Sequence, residues 1–366
     1  MRLVSINYCK PGMKLARSIY NDEGLILLGA HVELNETLIR RLEMLGVHRL
    51  YIQDSRADDI EIHEPISEKT RAEALFTIRS NFQKFMDDAK IGRIQNNLNL
   101  GREFRRVLDV IIDELKSHDQ AMIMLNAIQG ADHYLYQHSL NVCLYAIMLG
   151  SALGYTRDQL GVLGMGAMLH DIGKTMTPQN ILMKPDKLTE EEMAIMRQHT
   201  DDGFRILKGI PNISLLTAHC ALQHHERLDG SGYPRGLQGE EIHEYAKLLA
   251  IVDTFDAMTS YRVYKPAALP HEAVEVLYAG AGLQYDLEML NIFRDRVAIY
   301  PPGTTVKLNT GETGIVVDIN SSLPHRPVVR IIADAEGQEI RDIYEIDLSK
   351  KLNVTIVKVN DGLFLR

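Results

Sequence analysis

An adjacent histidine and aspartate, His170–Asp171, follow the apolar run VLGMGAML and are followed in turn by Gly173 and Lys174. Imidazole and carboxylate are the side chains that hold divalent first-row transition metals. A carboxylate has two oxygens and can bridge two such ions, so Asp171 is the natural bridging ligand. Lys174, three residues on, would share its side of a helix. His138 stands upstream in an apolar stretch, and His199 stands downstream in Arg197-Gln198-His199. The doublet His224–His225 follows, then Asp253 inside LLAIVDTFDAM. A carboxylate in such a strip is costly unless paired or metal-bound. Each residue alone has a bland explanation: a satisfied core histidine, a chance dipeptide, a solvated doublet. Their joint occurrence predicts one metal centre built from His138, His170, Asp171, His199, His224, His225 and Asp253. His133 lies near the set without matching it, and His31, His48, His63, His118, His219, His243, His271 and His325 have no companion pattern.

These residues all fall within 121–299, where the apolar spacing is helical, so a central all-α domain must position them. Residues 1–60 read as a small α/β domain. Its mostly apolar stretch Gly24–Val32 is strand-like. Asn35 is placed to cap a helix carrying Leu38, Leu42 and Leu45, Gly46 to end it, and Val47–Ile52 to form a strand. Residues 61–120 read as a helical linker, with a turn or hinge in the asparagine-rich Lys90–Gly101. It would connect domains, pack as a helical pair or form a homodimer interface. From 300 to 366 the period changes to alternation. Val306 with Leu308, Ile315 with Val317 and Ile319, Ile343 with Tyr344, and the run Val354–Val359 predict a small β-rich, barrel-like domain. Gly311, Gly314 and Asp334–Gly337 supply its turns.

The composition is that of a globular chain: 366 residues, 45% hydrophobic, 24% charged. A net charge of −9 argues against DNA as a partner and requires a local basic pocket for any small anionic ligand. Cys9, Cys143 and Cys220 are widely separated and form no CxxC pair, which reads as free thiols in a reducing, cytoplasmic compartment. The opening MRLVSINYCK has no signal-peptide core. Tyr134–Thr156 is long enough to span a bilayer, yet Gln137, His138, Ser139, Asn141 and Ser151 interrupt it. It reads as a helix buried in a soluble core, with no membrane insertion.

The doublet continues as His224-His225-Glu226-Arg227-Leu228-Asp229-Gly230-Ser231-Gly232-Tyr233-Pro234. With His170–Asp171, and with Gly236-Leu237, Gly239 and Asp253-Thr254-Phe255-Asp256-Ala257-Met258, this resembles the HD-GYP family of metal-dependent phosphohydrolases. Arg262-Val263-Tyr264-Lys265 is similar to that family's RPYK segment, with Val263 in place of proline. The resemblance implies cyclic di-GMP as substrate, cleaved to pGpG, GMP or both. It implies one ion held by His138, His170, Asp171 and Asp253, and a second held by Asp171, His199, His224 and His225. Lys174 would be proton donor or phosphate partner, and Tyr233, Arg262 and Lys265 would bind the dinucleotide. Some members carry a glutamate four residues before the first ligand histidine, supporting a third metal. Tyr134 stands there, so two ions are expected. Lys247, where arginine is usual, reads as structural.

Two ions about 3.5–4 Å apart lower the pKa of a bridging water and neutralise charge on the phosphoryl oxygens. Attack by the resulting hydroxide would expel the ribose oxygen, with Lys174 protonating it or clamping charge. Arg262 offers a two-bond fork, Lys265 a point charge. Gly230 and Gly232 are expected to give the loop unusual backbone conformations, with Pro234 fixing its exit. Five histidines and two carboxylates suit iron or manganese and are compatible with zinc. Two other readings use the same residues: a hydrolase of a hybrid cyclic dinucleotide or guanosine polyphosphate, and a non-catalytic cyclic di-GMP receptor.

Overall fold

The structure is a computed structural model that describes residues 1–20, 26–45, 47, 49–60, 65–90, 99–117, 134–184, 186–260 and 268–359. The expected Gly46 helix end, the centre of the expected hinge, His48, His63, His118, His133, Arg262 and Lys265 lie outside these residues. Contacts divide the chain into two units. One joins residues 1–64 with 294–366, and the other joins residues 65–119 with 131–293.

In the first unit β1 (Arg2–Ser5) pairs antiparallel with β4 (Arg49–Ile52), and β2 (Ile19–Tyr20) with β3 (Ile26–Leu28). Between β3 and β4 lies α1 (Glu36–Met44). As expected, Asn35 caps it by accepting from the Leu38 amide at 2.8 Å. The rest of the unit is a five-stranded antiparallel sheet of order β8-β7-β6-β5-β9. Its strands are β5 (Thr305–Leu308), β6 (Thr313–Asp318), β7 (Val328–Ala333), β8 (Glu339–Asp347) and β9 (Ile356–Val359).

Strand β6 is buried on both faces. Val316 packs with Val306, Val329 and Ile346, while Ile315 and Val317 pack with Ala57, Ile60 and Ile332. Ile319 falls beyond the strand. The two ends of the chain therefore share a core. Arg330 reinforces it with a fork of two 2.6 Å bonds to Asp59, and buried Arg2 with a 3.0 Å bond from Nε to Thr305 Oγ1.

The second unit is helical: α2 (Glu68–Lys90), α3 (Leu100–Ser117), α4 (Tyr134–Ala152), α5 (Arg157–Leu169), α6 (Gln179–Leu182), α7 (Glu190–Arg197), α8 (His199–Leu207), α9 (Leu215–Gln223), α10 (Glu244–Thr259), α11 (Pro270–Ala279) and α12 (Leu287–Arg294). Helices α2 and α3, over the stretch read as a linker, pair with each other and pack on α4 and α5. Helix α4 packs on α5 and α10 and is buried on almost every side. Among the described residues no helix is long and apolar enough to cross a membrane.

Helix α5 starts with a Thr156/Gln159 capping box and runs through buried residues to His170, its C-cap. Asp171 then opens a 3-10 turn, Ile172–Met176, that packs on α8. A Cβ on Gly173 would lie 1.9 Å from the His199 carbonyl oxygen and 2.5 Å from the Gly203 nitrogen. Only glycine permits that approach, and it brings the His170–Asp171 turn against the helix bearing His199.

Candidate metal centre

Each predicted ligand within the described residues sits on, or at the end of, a helix of the second unit. His138 lies near the start of α4, His170 caps α5, His199 opens α8, His224 caps α9 with His225 just beyond, and Asp253 lies within α10. The helices converge so that two ligand groups form. Ligand atoms of Asp171, His199, His224 and His225 lie within 4.8 Å of one another, as do those of His138, His170 and Asp171. Asp171 belongs to both. Its Oδ1 lies 3.4 Å from His199 Nε2 and 3.8 Å from His224 Nε2. Its Oδ2 lies 3.4 Å from His170 Nε2 and 3.7 Å from His138 Nε2. Asp253 also faces both groups: Oδ1 is 3.0 Å from His138 Nε2 and 3.8 Å from His170 Nε2, and Oδ2 is 3.7 Å from His225 Nδ1.

Backbone carbonyls fix three of the rings. His170 Nδ1 donates to Ala167 O at 2.7 Å, His199 Nδ1 to Met196 O at 2.7 Å, and His224 Nδ1 to Ala221 O at 2.9 Å. A carbonyl only accepts, so Nδ1 carries a hydrogen and Nε2 is turned inward toward the ligand groups. The Nε2 atoms of His199 and His224 meet at 3.4 Å.

Burial pulls His199 down to about 4 and holds His224 and His225 well below the usual imidazole range. All three are therefore neutral at pH 7, the state that ligates metal. Burial alone would raise the carboxyls of Asp171 and Asp253. Lys174 and the imidazoles around Asp171, and His138 and His225 beside Asp253, hold both well below the carboxylate range. Burial would likewise lower His138, but the carboxylates of Asp253 and Asp256 outweigh it and hold that ring at about 9.

This donor set fits a divalent transition metal. Among the described residues, buried His170 Nε2 and Asp171 Oδ1 have no hydrogen-bond partner. Leaving two such atoms unpaired costs several kcal/mol in order of magnitude unless an ion takes them.

Lys174 lies in the 3-10 turn, where residues three apart eclipse, and its Nζ is 2.5 Å from Asp171 Oδ2. The Tyr233 ring lies 4.7 Å from the His225 ring and 6.4 Å from that of His199. Gly230 has the expected left-handed backbone, with φ of +80°. Gly232 is required for a different reason, because a Cβ there would stand 2.4 Å from the Arg227 nitrogen. Lys247 pairs with Glu240 at 2.9 Å, away from the ligand groups.

Sequence reasoning missed two supports. Asp256 lies 2.7 Å from His138 Nδ1 and also accepts from Asn141 at 2.9 Å. Its signal was a second aspartate one turn after Asp253 in an apolar helix. Buried Glu226 accepts from the backbone of Arg235 at 2.8 Å and of Leu237 at 3.0 Å, tying down the loop that carries Tyr233.

The chain is similar to known proteins. The family model described as "HD domain" matches residues 109–289, and "KOW domain associated with HD domain" matches residues 305–362. The chain is 34% identical over 232 residues to the cyclic di-GMP phosphodiesterase PA4108 of Pseudomonas aeruginosa, covering 62% of this chain and 56% of that protein. It is 43% identical over 140 residues to the cyclic di-GMP phosphodiesterase response regulator RpfG of Xanthomonas campestris, covering 38% and 37%. It is 37% identical over 157 residues to the 3'3'-cGAMP-specific phosphodiesterase 1 of Vibrio cholerae, covering 43% and 36%. The chain thus spans at most 56% of the length of these relatives. Residues 109–289, which carry the His170–Asp171 pair and the Gly232-Tyr233-Pro234 loop, are thus similar to the HD domain family.

Proposed function

We propose that this chain is a metal-dependent phosphodiesterase that hydrolyses cyclic di-GMP to pGpG, GMP or both. The observation that carries the reading is the sharing of Asp171 between two ligand groups. The relatives named for cyclic di-GMP cleavage support the substrate. We assign two divalent ions, one to His138, His170, Asp171 and Asp253, the other to Asp171, His199, His224 and His225. The nitrogen-rich donor set favours iron or manganese. The free thiols Cys9, Cys143 and Cys220 suit a cytoplasmic setting.

When bound, such ions acidify water and neutralise charge on phosphoryl oxygens. The side chains supply the rest. Lys174 Nζ gives a proton to the departing ribose oxygen as the P–O bond breaks. Tyr233 presents its ring to a guanine or its hydroxyl to a phosphate. Arg262 and Lys265 take phosphate oxygens, a role that rests on the motif they share with the family. The net change adds one water across one ester bond, giving a phosphomonoester and a hydroxyl.

A second reading, cleavage of a hybrid cyclic dinucleotide, is favoured by the similarity to the Vibrio cholerae 3'3'-cGAMP-specific enzyme. Metal analysis of anaerobically purified protein, with product chromatography after incubation with cyclic di-GMP, cyclic GMP-AMP and guanosine tetraphosphate, separates the readings. Fastest turnover of cyclic di-GMP is expected. Faster turnover of cyclic GMP-AMP selects the second reading, and binding without turnover by metal-loaded protein indicates a receptor.

A further inference from the structure

Arg197 ends α7, two residues before His199. Its guanidinium carbon lies 5.0 Å from the centre of the Tyr233 ring, the ring that neighbours His225. The side chain is exposed, and among the described residues it makes no ion pair. Several other cations of this unit are committed. Lys184 holds Glu192 at 2.6 Å, Arg205 holds Asp202 at 3.1 Å, and Lys174 holds Asp171 at 2.5 Å. Arg227 is spent on the His224 and Glu226 carbonyls and rests on the Tyr285 ring.

A guanidinium lying on an aromatic face is held there by the ring's quadrupole and keeps its N–H fork free for an anion. In a chain of net charge −9, a cation without a carboxylate beside the metal centre is a place where an anion gains rather than loses.

A cyclic dinucleotide carries two phosphodiesters. The metal centre and Lys174 act on one of them. We infer that Arg197, positioned by the Tyr233 ring, forms a subsite for the second, non-scissile phosphodiester. This rests on the proposed reading that a cyclic dinucleotide is the substrate. Arg197 is then a specificity residue: it favours substrates with two phosphates over those with one.

The test uses the full chain, metal-loaded and with metal content measured, as wild type, Arg197→Ala and Arg197→Lys. Kinetics are taken on cyclic di-GMP and on bis(4-nitrophenyl) phosphate, which has a single phosphodiester. Loss of one charge-assisted contact at an exposed site predicts about a tenfold rise in KM for cyclic di-GMP in Arg197→Ala. The ratio of kcat/KM between the two substrates should fall by about the same factor. Arg197→Lys should recover part of the loss, restoring charge without the fork. A KM change under about twofold, or an equal loss on both substrates, overturns the subsite while leaving the phosphodiesterase reading intact. Absence of cyclic di-GMP turnover by metal-loaded wild type overturns both.

Discussion

His138 Nδ1 and Asp256 Oδ2 lie 2.7 Å apart, and the same carboxylate accepts from Asn141 Nδ2 at 2.9 Å and Ser260 Oγ at 3.2 Å. Asp256 is buried and reaches the centre through its bond to the His138 ring. Partners of this kind orient a ligand imidazole and raise its basicity. Asp256→Asn removes the charge and leaves one acceptor oxygen for two N–H donors. Metal affinity should fall about 10- to 100-fold, read by competition against a chromophoric chelator. Unchanged affinity would remove Asp256 from the support of the centre.

Asp171 faces both ligand groups, so Asp171→Ala should abolish metal loading and turnover together. It also leaves Lys174 without its 2.5 Å partner. Elemental analysis of the purified variant, beside the turnover assay, checks both. Full turnover with metal retained would refute the bridging assignment.

Lys174, 2.5 Å from Asp171 Oδ2, is the proton donor in the proposed reaction. Lys174→Met should lower kcat about 10²- to 10⁴-fold with KM and metal content little changed. Lys174→Arg separates the two roles, since guanidinium keeps the charge but does not give up a proton at neutral pH. Recovery of most activity by arginine would make the residue a charge clamp.

Gly173 has no room for a side chain against the His199 carbonyl. The blocking atoms are backbone, so Gly173→Ala must displace α8. We expect a loss of about 1–3 kcal/mol in stability and a drop in metal occupancy as His199 withdraws. A variant matching the wild type in melting temperature and metal content would contradict so close a contact.

Acid stability of the first unit should depend on Asp54. Burial tends to raise this carboxyl, but hydrogen bonds from Arg56, at 2.7 and 2.9 Å, and the charge of Arg2 bring it down to about 2 from an ordinary 3.8. A depressed carboxylate stabilises the fold above its unfolded pKa and loses that contribution as pH falls to the folded value. Asp54→Asn should therefore be less stable than wild type at pH 5, by about 2 kcal/mol. The gap should close between pH 3.8 and 2. Denaturant melts of both proteins across that range measure it; a gap that does not change with pH would exclude the ion pair as its source.

The residue types of the centre were legible before any coordinates. His170–Asp171, the His224–His225 doublet and Asp253 stand out because charged or ligating groups in apolar helices have few other uses. The Asn35 cap, the strand-forming alternation after residue 300 and the buried character of α4 were legible for a similar reason: each is written in neighbouring residues. The support from Asp256, and Arg197 lying over Tyr233, were not. Those contacts join residues 118 and 36 positions apart in the chain, and no local period encodes them. The common core of residues 1–60 with the C-terminal sheet was hidden in the same way, since Ile315 and Val316 look alike in sequence yet face different partners. Sequence determined which groups could hold a metal ion, because chemistry belongs to side-chain type. Tertiary packing decided which oxygen faces which ring, because that depends on how closely helices approach, as Gly173 does with α8.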